Sequence, residues 1–500
     1  MKSIPLACSA AALLWAASIA AQPQAPADNA ARVQDVERGL LPAVVTPHTV
    51  PARLVDRMCE LQIPGLSVAV VDRGQLAWAH AWGEARPGQA MTTDTLLQAA
   101  SISKPVAAVV ALRWVDRGRL TLDGDLQSHL KAWRLPAGPQ TFERGVSLRR
   151  LLSHSAGLTV SGFDGYPVGA PVPTLLQVLD GSPPANSAPV RVDALPGTQW
   201  RYSGGGYSVL QQVIEDTAGQ PFGLVAQHEV LVPAGMRQSF FAPSDPLAPG
   251  IQAQTAVGHS KGNPIPGGYR IHPESAAAGL WTTPSDLARF SLALPQLLGA
   301  DLLAEALRPQ FDESGLGFVV DRANARWGHD GSNAGFESRW LADAEGGGRA
   351  IVLMANANGA RSLMNEVIRA VAVAHGWTAW MPTTQSAVVA RMEATPMFVR
   401  GSLNNWGTDL VLQAVAPRRF EATSQAELPA GPIEFKIASA DWRTVDLGAA
   451  SVPHIAPGAF ADLTLGGANL HFNVPRPGRY RFEVDATDGA GARLRVSRLE

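Results

Sequence analysis

Residues 97–114 read LQAASISKPVAAVVALRW, and the prediction of the surrounding structure starts from them. Its apolar residues recur at helical spacing, and Pro105 fits the first turn of a helix, where its missing amide hydrogen is not needed. A buried helix is therefore predicted to begin just after Ser101. On such a helix Ser101 and Lys104 share one face, with Cβ atoms about 5–6 Å apart. A neutral lysine held there can take the serine proton and make the serine a nucleophile.

The Ser-x-x-Lys pattern is not specific by itself. A second copy, Ser128 to Lys131, has no apolar helix after it and is predicted to lie on an exposed turn. The alternative for the first copy is a serine that caps a helix beside a solvated lysine. Most of the positive charge in the chain is arginine, so a lysine at position 104 is less easily explained as an unspecific surface charge.

The bulk composition limits the classes of protein. The chain has 500 residues, 46% of them hydrophobic, which predicts more than one domain and a large core. A formal charge of −2 argues against a nucleic-acid partner and against a polybasic membrane contact. The histidines are scattered without ligand spacing, so no metal and no other cofactor are expected.

The first 21 residues have the character of a signal peptide. Lys2 precedes an apolar stretch rich in alanine and leucine, which ends in small residues at Ala20 and Ala21. The stretch is too short to cross a bilayer as a helix. No other segment is long and apolar enough to do so, and the mature protein is expected in the periplasm or the medium, without a membrane span.

Two domains are predicted in the rest of the chain. Residues 30–380 mix helical patterns with hairpins, which predicts an α+β domain layered α/β/α. Residues 381–393 are predicted to be a linker. From 394 to 500 the helical patterns stop and short alternating segments follow, punctuated by Pro, Gly and Asn, which predicts a small all-β sandwich.

A glycine-rich turn, YSGGGY at residues 202–207, precedes another predicted helix. A phenol at Tyr202 could lie beside the Ser/Lys pair and pass a proton to a leaving group. The alternative is a buried tyrosine in a tight loop.

A third segment, His329-Asp330-Gly331-Ser332, follows a Trp-Gly pair. Gly331 would let the backbone approach a substrate closely, and an amide on such a strand could complete an oxyanion hole. The alternative is a hairpin turn with an exposed histidine. A further histidine, His154 in LLSHSAGL, is predicted to be structural.

Taken together and in this order, these segments resemble the serine β-lactamase and penicillin-binding superfamily. They are most similar to the class C β-lactamase-related hydrolases, which include esterases, D-aminopeptidases and DD-carboxypeptidases. The resemblance runs over about residues 33–380 and includes IPGLSVAVV at 63–71 and AAAGLWTTPSDLA at 276–288. It implies an antiparallel sheet with a helical subdomain.

The resemblance also implies roles for individual residues. Ser101 would attack a carbonyl and form an acyl-enzyme, and Lys104 and Tyr202 would share the acid and base work. The amides of Ser101 and Ser332 would form the oxyanion hole, and His329 would stand where true β-lactamases have a lysine. The substrate would be a small molecule or a peptide.

Two departures from the family pattern bear on the substrate. Gly204 stands where the second motif usually has an asparagine that binds a substrate amide. His329 replaces a lysine, which removes a permanent charge that would pair with a substrate carboxylate. Both changes favour an esterase or peptidase, while a DD-carboxypeptidase, a D-aminopeptidase or a weak β-lactamase stays as the alternative.

The tail contains MFVRGSLNNWG at 397–407, which resembles the opening of glycogen- and starch-binding-like modules with an immunoglobulin-like sandwich fold. Trp406 and Trp442 are candidate glycan contacts, because exposed indole faces can stack on sugar rings. The alternative is that both are core residues of an inert sandwich. A non-catalytic glycan-binding protein is therefore the competing function of another class.

Overall fold

The computed structural model describes residues 27–45, 49–242, 246–344, 347–450, 453–487 and 491–499. The chain divides into two compact units. The first contains the residues through Arg38 together with Arg53–Ile368, and the second contains Gly39–Ala52 and Arg369–Glu500. The predicted signal peptide, residues 1–21, lies outside the described residues.

A seven-stranded antiparallel sheet forms the centre of the first unit. In spatial order its strands are Val319–Asp321, Arg326–Asn333, Phe336–Asp343, Ala350–Ala355, Gly65–Asp72, Gln75–Arg86 and Gln89–Ala90. Successive side chains of a strand point to opposite faces. All six residues of Ala350–Ala355 are buried, so both faces of the sheet are covered there.

Smaller strand groups and many helices complete this unit. The short strands are Leu97–Gln98, Leu280–Thr282 and Phe240–Phe241 in one group, Tyr166–Pro167 with Arg270–Ile271 in a second, and His259–Ser260 with Asn263–Pro264 in a third. The α-helices of this unit are Ala27–Arg38, Leu54–Glu60, Ser103–Asp116, Pro139–Glu143, Leu148–Leu152, Leu175–Asp180, Gly204–Ala218, Phe222–Ala226, Pro249–Gln252, Ser275–Ala278 and Pro284–Ala306. A further helix, Arg361–His375, begins in this unit and continues into the second from Arg369.

The helix Ser103–Asp116 confirms the prediction made from residues 97–114. Eleven of its fourteen residues are buried, including Lys104, Val110 and Trp114. A helix that is apolar on all sides belongs in the interior of a large domain. Ser101 lies just before the first turn of this buried helix, at the end of a rigid element.

One helix of the described residues, Pro284–Ala306, is long and apolar enough to cross a membrane by length and composition alone. Leu287, Phe290 and Leu294 on it are buried in the core of the unit. The run is also broken at Gly299, where φ is 71° and ψ is 166°. Core helices of this composition pass the same length test, so the finding is weak evidence for a span.

The second unit is rich in antiparallel strands. The antiparallel strands are Met397–Gly401, Val411–Ala416, Arg419–Thr423, Gly431–Ser439, Asp446–Ala449, Phe460–Leu465, Leu470–Val474, Tyr480–Asp485 and Arg493–Arg498. The short strand His454–Ile455 pairs with Leu470–Val474 in parallel. The pairing of Met397–Gly401 with both Val411–Ala416 and Gly431–Ser439 closes eight of these strands into a continuous ring. The predicted all-β character is confirmed, and the immunoglobulin-like arrangement stays a prediction.

The structure differs from the linker predicted over 381–393. Thr383–Thr384 is a short strand paired with Val44–Val45, and Gln385–Ala394 is a helix. Val388, Val389 and Met392 on this helix are buried in the core of the second unit. The sequence around this helix is polar, as in a linker. The helix forms because the burial of these three side chains stabilises it.

Candidate active site

Ser101 lies in a single 3₁₀ turn, Ala100–Ile102, at the junction of a strand and the buried helix. Ala100 has a φ of 50°, in the left-handed region that few residues other than glycine adopt. Ser103 holds the turn, because its hydroxyl donates to the carbonyl of Ala100 at 2.6 Å and accepts from the amide of Leu280 at 3.0 Å. The half-buried Ser101 is thereby fixed between two fully buried neighbours.

Lys104 contacts Ser101 directly. Its Nζ donates to Ser101 Oγ at 2.9 Å and to the carbonyl of Ala277 at 2.8 Å. Only 2% of the lysine is exposed, which excludes the alternative of a solvated side chain. The carbonyl of Ala277 lies on the short helix Ser275–Ala278, part of the AAAGLWTT segment, and it fixes the amine against the hydroxyl.

Tyr202 lies beside this pair, with the centre of its ring 5.0 Å from Lys104 Nζ. His154 stacks on Tyr202 with ring centres 4.3 Å apart. The amide of Ser203 donates to His154 Nδ1 at 3.1 Å, so this nitrogen carries no proton. Burial, then the charges of Lys104 and His329, lower the pKa of His154 well below its ordinary value. The predicted structural role of His154 thus takes a specific form, the support of Tyr202.

The strand Arg326–Asn333 brings Gly331 against the nucleophile. Val319–Asp321 pairs only with residues 326–328, which leaves residues 329–333 as a free edge on that side. A Cβ atom on Gly331 would lie 3.0 Å from the amide nitrogen of Ser101 and would overlap the carbonyl oxygen of Ala99. Ser332, the next residue, is exposed. The structure therefore brings the amide of Ser101 close to Gly331, the residue before Ser332.

His329 is buried in this strand, so the alternative of an exposed histidine on a hairpin turn is wrong. Its Nδ1 lies 2.6 Å from the carbonyl oxygen of Asp330, and this contact requires Nδ1 to be the donor. Burial, then the charge of Lys104, lower the pKa of His329 to about 4. At neutral pH this imidazole carries no charge, and its ring centre is 6.3 Å from that of Tyr202.

Gly204 begins the helix Gly204–Ala218 and is buried. Its amide donates to the carbonyl of Ser161 at 3.0 Å. The position two residues after Tyr202 therefore presents no side chain to a substrate.

The second Ser-x-x-Lys copy is confirmed as a surface feature. Ser128 lies in the 3₁₀ helix Leu126–His129 and is exposed. Lys131 Nζ donates to the carbonyl of Asp216 instead of to Ser128 Oγ. The same four-residue pattern thus has different partners in the two places.

A buried pair close to the site, His272 and Glu274, escaped the sequence analysis. Both ring nitrogens of His272 and both carboxylate oxygens of Glu274 are buried without a hydrogen-bond partner. Burial raises the pKa of Glu274 to about 8. Burial, then Lys104 and Arg270, lower the pKa of His272 to about 4. The tripeptide His-Pro-Glu before the AAAGLWTT segment was the available signal, but no spacing rule marks it.

In the second unit, Trp406 and Trp442 lie side by side with ring centres 5.9 Å apart. Both are half-buried, and the guanidinium carbon of Arg400 is 3.9 Å from the ring centre of Trp442. Part of each indole is therefore accessible. Across the described residues of the chain, no group of three His, Cys, Asp or Glu side chains is arranged to hold a metal ion.

The profile of the Beta-lactamase family matches residues 50–375, more than half of the chain. The chain belongs to the β-lactamase family. The matched range contains the Ser/Lys pair, Tyr202 and the strand with Gly331. The family match and the relatives described next support a serine hydrolase of the β-lactamase and penicillin-binding superfamily.

Relatives in this family include an esterase. Esterase EstB of Burkholderia gladioli is 28% identical over 307 residues, which cover 54% of this chain and 74% of the esterase. Penicillin-binding protein 4 of Amycolatopsis lactamdurans is 28% identical over 236 residues, or 46% of this chain and 59% of that protein. A D-aminopeptidase of Brucella anthropi is 27% identical over 223 residues, or 42% of this chain and 38% of that enzyme.

Two solved structures of low sequence identity share the fold. The octameric penicillin-binding protein homologue from Pyrococcus abyssi has a TM-score of 0.57 at 17% identity, covering 89% of this chain and 98% of that one. The D-amino acid amidase from Ochrobactrum anthropi SV3 has a TM-score of 0.56 at 21% identity, covering 70% of this chain and 99% of that one. These matches confirm the predicted β-lactamase-like fold.

Proposed function

We propose that this chain is an exported serine hydrolase, of the class C β-lactamase-related kind, that cleaves an ester or amide through an acyl-Ser101 intermediate. The observation that carries the proposal is the hydrogen bond from the buried Lys104 Nζ to Ser101 Oγ at 2.9 Å. A second bond from the same amine to a fixed carbonyl keeps it in place before substrate arrives. Family membership and the esterase relative support the same reaction type.

The reaction follows from this arrangement. Lys104 Nζ takes the hydroxyl proton as Ser101 Oγ attacks the carbonyl carbon of the substrate. The amides of Ser101 and Ser332 stabilise the oxyanion that forms. Tyr202 donates a proton to the leaving group, which departs and leaves the acyl-Ser101 intermediate. Water then hydrolyses this intermediate, and each proton transfer runs in the reverse direction.

The charges around the site favour an uncharged acyl group. His329 is neutral at pH 7 because its pKa is about 4, so it does not pair with a carboxylate. Arg201, the next cation along the chain from Tyr202, donates to the carbonyls of Gly157 and Leu158 and pairs with Asp193. An ester of an uncharged acid is therefore the favoured substrate, ahead of a penicillin or a peptide with a free carboxylate.

The test is hydrolysis of p-nitrophenyl acetate and butyrate by the full chain, beside Ser101→Ala and Ser128→Ala. The second variant is a matched control, because it removes the serine of the exposed Ser-x-x-Lys copy. We expect turnover that Ser101→Ala reduces at least about a thousandfold and Ser128→Ala leaves unchanged. Equal rates in all three proteins would refute Ser101 as the nucleophile. Labelling of Ser101 by a fluorescent penicillin would instead favour the DD-peptidase or β-lactamase alternative.

For the tail we propose a carbohydrate-binding-like domain over 394–500, following a hydrolase domain over 30–380. The two accessible indoles of Trp406 and Trp442 support this proposal, since neighbouring aromatic faces suit a sugar ring. Retention on insoluble starch that is lost in Trp406→Ala is the expected result. Retention together with an inactive Ser101 would favour the non-catalytic glycan-binding alternative, and no retention would leave the tail as an inert sandwich.

A further inference from the structure

Two separate elements contribute to the proposed oxyanion hole. Ser101 follows the short strand Leu97–Gln98, whereas Gly331 lies on the strand Arg326–Asn333 of the seven-stranded sheet. Leu97–Gln98 pairs with Leu280–Thr282 in a different, three-stranded sheet. Within the described ranges of the chain, no backbone ladder therefore joins the turn of Ser101 to the strand of Gly331. The distance between the two depends on side-chain contacts.

Ser338 makes the first of these contacts. It lies directly opposite Gly331 in the neighbouring strand Phe336–Asp343. Its hydroxyl donates to the carbonyl of Ala99 at 2.8 Å, and the residue is fully buried. A Cβ atom on Gly331 would overlap both this hydroxyl and the carbonyl oxygen of Ala99, and it would lie 3.0 Å from the amide nitrogen of Ser101. The hydrogen bond therefore spans the point where the Gly331 backbone meets the turn of Ser101.

Asn333 makes the second contact, at the end of the same strand as Gly331. Its side-chain nitrogen donates to Gln98 Oε1 at 3.0 Å and to the carbonyl of Ala278 at 3.2 Å. Asn333 and Gln98 are both buried, where hydrogen bonds hold side chains most firmly. Ala278 directly follows the residue whose carbonyl accepts from Lys104 Nζ. Asn333 thus joins the strand to the segment before Ser101 and to the element that fixes the amine.

We propose that Ser338 and Asn333 are positioning residues, which hold the strand at Gly331 against the turn of Ser101 and so set the spacing of the oxyanion hole. The inference rests on the proposed serine hydrolase function and names the side chains that assemble its oxyanion hole. Residues 329–333 form a free edge on one side, so the two contacts restrain a strand with few other neighbours there. Precise spacing is needed, because an oxyanion-hole donor acts at about 2.7–3.1 Å from the developing charge.

Alanine variants of the two residues test this proposal beside a matched control. Ser67 is a buried serine in the same row of the sheet as Ser338, with Met354 between them. Its hydroxyl has no hydrogen-bond partner among the described residues, so Ser67→Ala removes a buried hydroxyl without releasing the turn of Ser101. Relative to this control, Ser338→Ala and Asn333→Ala should each lower kcat for p-nitrophenyl butyrate about tenfold or more, with KM little changed.

Butylboronic acid supplies a readout that a merely structural role would not move. Its boron bonds to Ser101 Oγ and becomes a tetrahedral anion, which resembles the intermediate of ester hydrolysis and places an oxygen in the oxyanion hole. We expect each alanine variant to bind it about tenfold or more weakly than the wild type, and Ser67→Ala to bind it equally well. Ser338→Thr keeps a hydroxyl donor and should restore the affinity.

The outcomes separate this inference from the proposed function. Wild-type turnover that Ser101→Ala abolishes, with kcat and boronate affinity of both alanine variants equal to those of Ser67→Ala, overturns the positioning role alone. A lower kcat with unchanged boronate affinity also overturns it, as does a folded Ser338→Thr that binds as weakly as Ser338→Ala. If the alanine variants do not fold by circular dichroism, Asn333→Ser decides by the same measurement, because serine is too short to reach both acceptors. Absence of Ser101-dependent turnover in the wild type defeats both proposals.

Discussion

Glu274→Gln is predicted to change how the stability of the protein depends on pH. The folded protein holds the pKa of this carboxyl at about 8, against an ordinary value of 4.5. Between these two values the group is protonated when folded and ionised when unfolded. The folded state therefore binds one more proton, and the free energy of unfolding falls by about 1.4 kcal/mol for each pH unit through this window.

Two histidines act in the opposite direction at lower pH. His272 and His329 have pKa values of about 4 in the folded protein, against 6.5 when unfolded. Between pH 4 and 6.5 the unfolded state binds these protons, so stability rises with pH. The two effects together predict a stability maximum near pH 6.5, with Glu274 responsible for the decline above it.

Urea denaturation of the wild type and Glu274→Gln at pH 5, 6.5 and 8 measures this contribution. Glutamine keeps the shape of the side chain without a titrating proton. The variant should therefore gain about 3–4 kcal/mol relative to the wild type between pH 5 and pH 8. Glu143→Gln, on an exposed helix, is the control for the Glu-to-Gln exchange itself. A constant difference for Glu274→Gln over this range would refute the reasoning.

Three further changes test the site by ester hydrolysis. Gly331→Ala should reduce kcat at least a hundredfold with little change in helix content, because its Cβ would overlap the carbonyl of Ala99 and crowd the amide of Ser101; normal turnover would exclude this edge from the oxyanion hole. Lys104→Met should reduce acylation at least a thousandfold in single-turnover assays, and a smaller loss would point to another base. His154→Phe removes the acceptor of the Ser203 amide. It should lower kcat about tenfold or more with KM little changed, and a change confined to KM would contradict a role in supporting Tyr202.

The elements that were predictable from the sequence are those whose pattern lies within a short stretch of neighbouring residues. The helix after Ser101 combines helical spacing, a proline in the first turn and a serine and lysine on one face. The short alternating segments of the tail predict strands, and the described residues of 394–500 contain ten strands. Local patterns of this kind are strong because they are decided by neighbours in the sequence.

The features that escaped prediction depend on distant contacts. The acceptor that fixes Lys104 is a backbone carbonyl at Ala277, which no residue type reveals. The burial of His329 depends on the residues that pack over the strand Arg326–Asn333, and these are distant in the sequence. The helix Gln385–Ala394 forms because the second unit buries three of its side chains.

The hydrogen bond between Lys104 and the carbonyl of Ala277 joins positions 173 residues apart. The edge at Gly331 comes from still farther along the chain. The serine therefore acquires these partners only when the chain between positions 101 and 331 has folded, and under the proposed function a partly folded chain would have an unreactive hydroxyl at position 101. The fraction of chains that an activated ester acylates at Ser101 would consequently measure the fraction that has folded. Its increase with time after dilution from denaturant would give the rate of folding.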